Sequence, residues 1–234
     1  AVIPLQEFLS PDRLGNRPVD LVDLSVAIDA AATAVASLAP IDNPASAPGT
    51  TLSGVMVLRT AEGPYWLSFN VGDSRVYVVG GGGIRQLTHD HSALQEARDL
   101  AATSGAPRLI PPANVVTKAL GAGQTGSVKA DYTIMPLEEG DRAVICTDGV
   151  HGVLRDSQIH AVVAAGDGPQ GTADALVRAS LESGTRDNTT AVVVYAGTKS
   201  RVTLTSNVMN RMIQPVRPAS IETARRVPRR EGSD

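Results

Sequence analysis

Tyr65-Trp66-Leu67-Ser68-Phe69-Asn70-Val71-Gly72-Asp73-Ser74-Arg75-Val76-Tyr77-Val78-Val79 decides the fold class. Two apolar runs rich in aromatic and β-branched residues flank a Gly-Asp-Ser turn, which predicts strands over 65–70 and 75–79. Outward on one side, 51–59 repeats the strand pattern and joins the first run through Ala61-Glu62-Gly63-Pro64. On the other, Gly80 to Gly83 make a hairpin tip leading into Ile84-Arg85-Gln86-Leu87. Four strands therefore follow one another with no helix between them.

The rest of the chain groups in the same way. Residues 19–38 carry Leu21, Leu24, Ile28, Ala31, Val35 and Leu38 at helical spacing, with Asn16 or Asp20 as cap. Residues 92–104, 156–165 and 171–183 read as further helices, and 1–9 as the end of another. Apolar or alternating patterns recur at 115–120 and 131–135, and a strand at 142–146 follows the Glu138-Glu139-Gly140-Asp141 turn. The last strand, 189–195, contains an unbroken Ala-Val-Val-Val run, which predicts a central position covered on both faces. Strands and helices in groups, without β-α-β alternation, predict a layered α+β fold with helices on the outer faces of the sheets.

A length of 234 residues, 42% hydrophobic and 19% charged, suits one domain with a substantial core. From residue 198 onward eight basic side chains stand against three acidic ones; the body, with 13 basic and 21 acidic, carries a net charge of −8. That balance argues against non-specific nucleic-acid binding and suits a cation site. The basic, Pro-containing stretch 198–234 is predicted to be an unfolded tail or linker after a domain spanning 1–197. Cys146 is the only cysteine and sits in an apolar run, so core packing and a reducing cytoplasm are expected. No run is long enough for a membrane span.

Asp73, Asp148 in Thr147-Asp148-Gly149 and Asp187 in Arg186-Asp187-Asn188 each adjoin an apolar run. Three distant carboxylates at strand ends are expected to converge at one edge of the β core. Such a cluster calls for hard, oxygen-seeking cations such as Mg2+ or Mn2+, which activate water for attack on phosphorus.

Five motifs in order then resemble one family. They are Gly49-Thr50-Thr51, Val71-Gly72-Asp73-Ser74-Arg75, Gln86-Leu87-Thr88-His89-Asp90-His91-Ser92, Gly140-Asp141-Arg142 leading to Thr147-Asp148-Gly149, and Arg186-Asp187-Asn188-Thr189-Thr190. Together they resemble the metal-dependent PPM (PP2C-type) protein serine/threonine phosphatases of bacteria, over about residues 19–196. The resemblance implies a two-layer antiparallel β-sandwich flanked by helices (α-β-β-α) with two catalytic Mg2+ or Mn2+ ions at one end. It implies that Asp148 and Asp187 are ligands of that pair and that Asp73, sharing with Asp148, serves a third, weaker metal. The substrate it implies is a phosphorylated protein, attacked by metal-activated water; the enzyme is expected to be a monomer. His89 and His91 fall in the motif leading into the flap, 92–126, and take a structural or flap role. No residue is assigned to substrate binding.

The family's N-terminal motifs, including its Asp-Gly-x-Gly-Gly, have no match here. Ala1-Val2-Ile3 reads as the inside of an element, and the chain does not begin with Met. The N-terminal strands are therefore expected to be missing, leaving one side of the metal centre and weak metal binding. The alternative reading is a catalytically impaired PPM-like domain that binds phosphoproteins or acts as a regulatory module. A third is a regulatory phosphatase of the sporulation or stress-response type, acting on an anti-sigma-factor antagonist.

Overall fold

In the computed structural model the described residues are 9, 19–40, 42–43, 46–104, 110–112, 114–123, 127–197 and 225–226. They form, in chain order, α1 (Leu21–Ala36), β1 (Gly49–Thr50), β2 (Leu52–Thr60), β3 (Gly63–Val71), β4 (Arg75–Gly80), β5 (Gly83–Gln86) and α2 (Ala93–Ser104). Then come β6 (Leu120–Gly121), β7 (Asp131–Pro136), β8 (Arg142–Cys146), α3 (Asp148–His151), α4 (Asp156–Ala165), α5 (Pro169–Glu182), β9 (Ala191–Tyr195) and β10 (Arg225–Arg226). The elements divide between two units, one holding 53–69, 74–88 and 132–234, the other 1–52, 70–73 and 89–131.

The first unit contains nearly all of two four-stranded sheets, ordered β5-β4-β8-β9 and β10-β7-β3-β2. In the former every pairing is antiparallel, with Arg75 opposite Cys146 and Cys146 opposite Ala191. Because strand side chains alternate between faces, β4 and β8 feed two different cores. Val76, Val78 and Ala143 pack with Trp66 of β3, Leu87 and Met135 of β7, so this core lies between the sheets. Tyr77, Val79, Val144 and Cys146 face the other way, against Ile159 and Val163 of α4 and Ala173 and Leu176 of α5. The result is the expected α+β arrangement of antiparallel sheets flanked by helices.

Asp141, buried ahead of β8, accepts from Trp66 Nε1 at 3.0 Å and from the Glu138 amide at 2.9 Å, which ties one sheet to the other. Such pairing offsets the cost of burying a carboxylate. Arg142 caps the C-terminus of α4 by donating to the carbonyls of Val163 and Ala164, and its guanidinium lies 4.6 Å from the Tyr195 ring centroid.

One expectation is corrected. Among the described residues β9 is an edge strand, and Val192 and Val194 are 52% and 37% exposed. Only the face carrying Val193 is covered, by the helical layer. An apolar run records how much burial a strand tolerates, not which strands lie beside it.

In the second unit α1 begins with a capping box. The Asp20 carboxylate accepts from the amides of Val22 and Asp23 at 2.9 Å each, and Asp23 returns the bond to the Asp20 N–H at 3.0 Å. The buried stripe Leu24, Ile28, Ala31 and Val35 backs the small antiparallel pair β1–β6, where Gly49 faces Gly121. The apolar pattern at 115–120 yields a single bridge, Ser92 to Val116, and the start of β6, because the amide of Thr117 bonds the His91 carbonyl and the Val115 carbonyl bonds the Ala93 amide. In α2 no residue is buried, and Leu100 is 64% exposed. The helix read over 1–9 lies outside the described residues except Leu9, and the 198–234 tail does so except for β10, which runs parallel to β7. No helix among the described residues is long and apolar enough to cross a membrane.

Candidate active site

Asp148 and Asp187 stand on the loops that follow β8 and precede β9, and pairing of these strands makes the loops neighbours. The Thr147 N–H donates to the Thr190 carbonyl at 3.1 Å, extending the ladder by one residue. Thr147 Oγ1 then bridges the gap, donating to the Asn188 carbonyl at 3.2 Å and accepting from the Thr190 N–H at 3.1 Å. Thr189 Oγ1 lies 3.2 Å from the Asp187 carbonyl and 3.5 Å from that of Gly149. Gly149 is required by this approach: a Cβ there would collide with the Asn188 carbonyl and come within 2.8 Å of Thr189 Oγ1.

The carboxylates themselves are left to local donors. Asp148, half-buried at the start of α3, accepts the Gly149 N–H at 3.0 Å on Oδ1. Asp187, exposed, accepts the Asn188 N–H at 2.7 Å on Oδ1. Each carboxylate engages its neighbour's amide through one oxygen, a donor set with the hard-oxygen chemistry that Mg2+ or Mn2+ takes. No group of three or more His, Cys, Asp or Glu side chains suited to a metal ion occurs among the described residues.

Asp73 lies in the second unit, half-buried, on a turn held by side chains. The Gly72 carbonyl accepts from Asn70 Nδ2 at 2.9 Å and from the His91 N–H at 3.0 Å, while the Gly72 N–H donates to His91 Nδ1 at 3.0 Å. Gly72 has φ +112, and a Cβ there would collide with the Thr51 side chain, so only glycine fits. With Nδ1 filled by a backbone donor, the neutral ring carries its proton on Nε2, 3.1 Å from Asp131 Oδ2. Lys118 Nζ completes the network, 3.1 Å from His91 Nε2, 3.3 Å from Asp131 Oδ1 and 3.1 Å from the Lys129 carbonyl. Burial lowers the His91 pKa below the usual histidine range, and the Lys118 cation adds to this while Asp131 opposes it. For Asp131 burial acts upward but is outweighed by the His91 hydrogen bond and the His91 and Lys118 charges, so its pKa is lowered.

Sequence reading singled out the three aspartates but not Thr147, Thr189, Asn70, Lys118 or Asp131. The threonines carried a signal, since hydroxyls beside both acids suit turn-forming bonds. The Lys118–Asp131 pair carried none.

No protein-family model matches the chain. Among curated proteins it is similar to the serine/threonine phosphatase stp of Listeria welshimeri, at 27% identity over 147 residues, 62% of this chain and 56% of that protein. The chain thus matches little more than half the length of that relative. Among solved structures it is similar to the PPM Ser-Thr phosphatase MsPP from Mycobacterium smegmatis in complex with cacodylate, at 30% identity, TM-score 0.64, covering 84% of this chain and 82% of that one. The catalytic domain of the phosphatase PstP in complex with two manganese ions shares the fold, at 23% identity and TM-score 0.63 over 82% of this chain and 78% of that one. An antiparallel sandwich flanked by helices, with acid-bearing loops at its strand ends, defines the class as a PPM-type α+β fold. The chain belongs to the PPM serine/threonine phosphatase family.

Proposed function

We propose that this chain carries the core of a metal-dependent protein serine/threonine phosphatase that hydrolyses phosphoserine and phosphothreonine. The observation that carries the proposal is the loop clamp, in which Thr147 and Gly149 hold the Asp148 and Asp187 backbones side by side. Asp148 and Asp187 would hold two Mg2+ or Mn2+ ions, and Asp73 a third. When bound, such ions supply hydroxide from coordinated water at neutral pH and offset charge on the phosphoryl oxygens. The chain's own contribution is positional: hydroxyl and amide bonds fix both loops, which lowers the reorganisation the centre needs. Relatives named as phosphatases support a phosphorylated protein as substrate, and the manganese-bound neighbour supports the choice of metal. The single cysteine, buried in the sheet, suits a reducing cytoplasm.

A second reading, a phosphoprotein-binding domain with impaired catalysis, draws on the lack of a third metal-binding side chain beside the pair among the described residues. Phosphate release from a phosphothreonine peptide with Mn2+ separates the two. Turnover that Asp148→Ala and Asp187→Asn both abolish supports the phosphatase; peptide binding with no turnover supports the binder.

A further inference from the structure

We propose that His91 is a positioning residue for Asp73, holding the Gly72 peptide on both sides and tying the 114–118 segment to the same turn. This rests on the reading of Asp73 as a metal ligand.

His91 is buried and joins three segments distant in sequence. Its ring Nδ1 accepts the Gly72 N–H at 3.0 Å, and its main-chain N–H donates to the Gly72 carbonyl at 3.0 Å. His91 thus engages both polar groups of Gly72, sharing the carbonyl with Asn70 Nδ2 at 2.9 Å. The His91 carbonyl accepts the Thr117 N–H at 2.9 Å, and the next residue, Ser92, bridges to Val116. The ring is fixed from behind: Nε2 meets Asp131 Oδ2 at 3.1 Å, and Asp131 is held in turn by Lys118. A carboxylate keeping an imidazole in one tautomer is how a ring nitrogen is made a dedicated acceptor.

The left-handed Gly72 conformation makes this bond matter. At φ +112 the peptide sits in a region that ordinary side chains avoid, and a turn of this kind persists only where its surroundings hold it. Asp73 follows directly, so the direction of its carboxylate is inherited from the Gly72 peptide plane. The 114–118 segment is therefore coupled to the Gly72 peptide through His91.

Two substitutions separate the ring's role from its bulk. In His91→Asn the side-chain oxygen falls where Nδ1 stood; in His91→Gln the amide reaches only the Nε2 position. The test is amide exchange and Mg2+ titration by NMR on the full chain, reading the Gly72 and Asp73 amides, with Asp73→Asn as control. Loss of one buried bond predicts Gly72 exchange about tenfold faster in His91→Gln and near the original rate in His91→Asn. The Mg2+ affinity read at the turn follows the same split. Unchanged exchange or unchanged affinity in His91→Gln overturns the positioning role while leaving Asp73 as a ligand. If Asp73→Asn titrates like the original chain, or no saturable response occurs at the turn, the ligand reading itself fails and the positioning role falls with it.

Discussion

The Asp148–Asp187 loops and the Gly72–Asp73 turn each present carboxylates beside a strand end, but they are held by different kinds of bond. The first pair is built on the β8–β9 register, with Thr147 extending the ladder and Gly149 admitting the Asn188 carbonyl. Nothing in that clamp titrates near neutral pH. The second depends on a glycine with positive φ and on an imidazole locked by Asp131. One is a property of the sheet and persists while the sheet does; the other is conditional on the state of a few side chains.

The comparison is tested first at the acids. Asp148→Ala should lower Mn2+-dependent phosphate release by at least about a hundredfold, since groups that merely support metal ligands already cost 10–100-fold. Asp73→Asn should cost about tenfold or less by the same measure. Equal losses in a side-by-side assay would erase the distinction between a central and an accessory carboxylate.

Gly149→Ala probes the sheet-built clamp without touching an acid. Forcing a methyl against the Asn188 carbonyl should destabilise the fold by about 1–3 kcal/mol, read as a lower urea midpoint. Thr147→Val keeps the shape and removes the hydroxyl; because the Asn188 carbonyl and the Thr190 N–H are exposed and can turn to water, it should cost only about 0.5 kcal/mol in the same experiment.

The smallest effect is in pH. His91 has a folded pKa below its unfolded value, so its stabilising contribution is present above the unfolded pKa, near 6.5, and is lost as pH falls through the folded one. The charged groups facing it are Asp131, Lys118 and His89. Urea midpoints should therefore decline as pH drops below about 6.5 in the original chain, and the decline should be shallower in His91→Asn.

Much of this was legible because local patterns and the fold agree. The 19–38 helix appears as α1, with Asp20 capping it as its position suggested. Apolar runs bounded by turn signals placed β3, β4 and β8, and alternate side chains along β4 and β8 supply the two cores. The edge position of β9 was not legible, since a Val run looks the same whichever strands adjoin it. Nor was the exposure of α2, whose Leu94, Ala97, Leu100 and Ala101 stripe obeys helical spacing yet is not buried. At the site, the acids stood out through their motifs. The His91–Asp131–Lys118 network did not, because its members are brought together by loop paths that leave no periodic trace.

The central claim is that Asp148 and Asp187 serve one metal centre, and a double-mutant cycle on Mn2+ affinity, measured by electron paramagnetic resonance, tests it most directly. If the claim holds, Asp148→Asn and Asp187→Asn each weaken binding of the same ion by about a hundredfold, and the double substitution adds little to either. Losses that add in full, or one substitution that leaves Mn2+ binding unchanged, would contradict a shared centre.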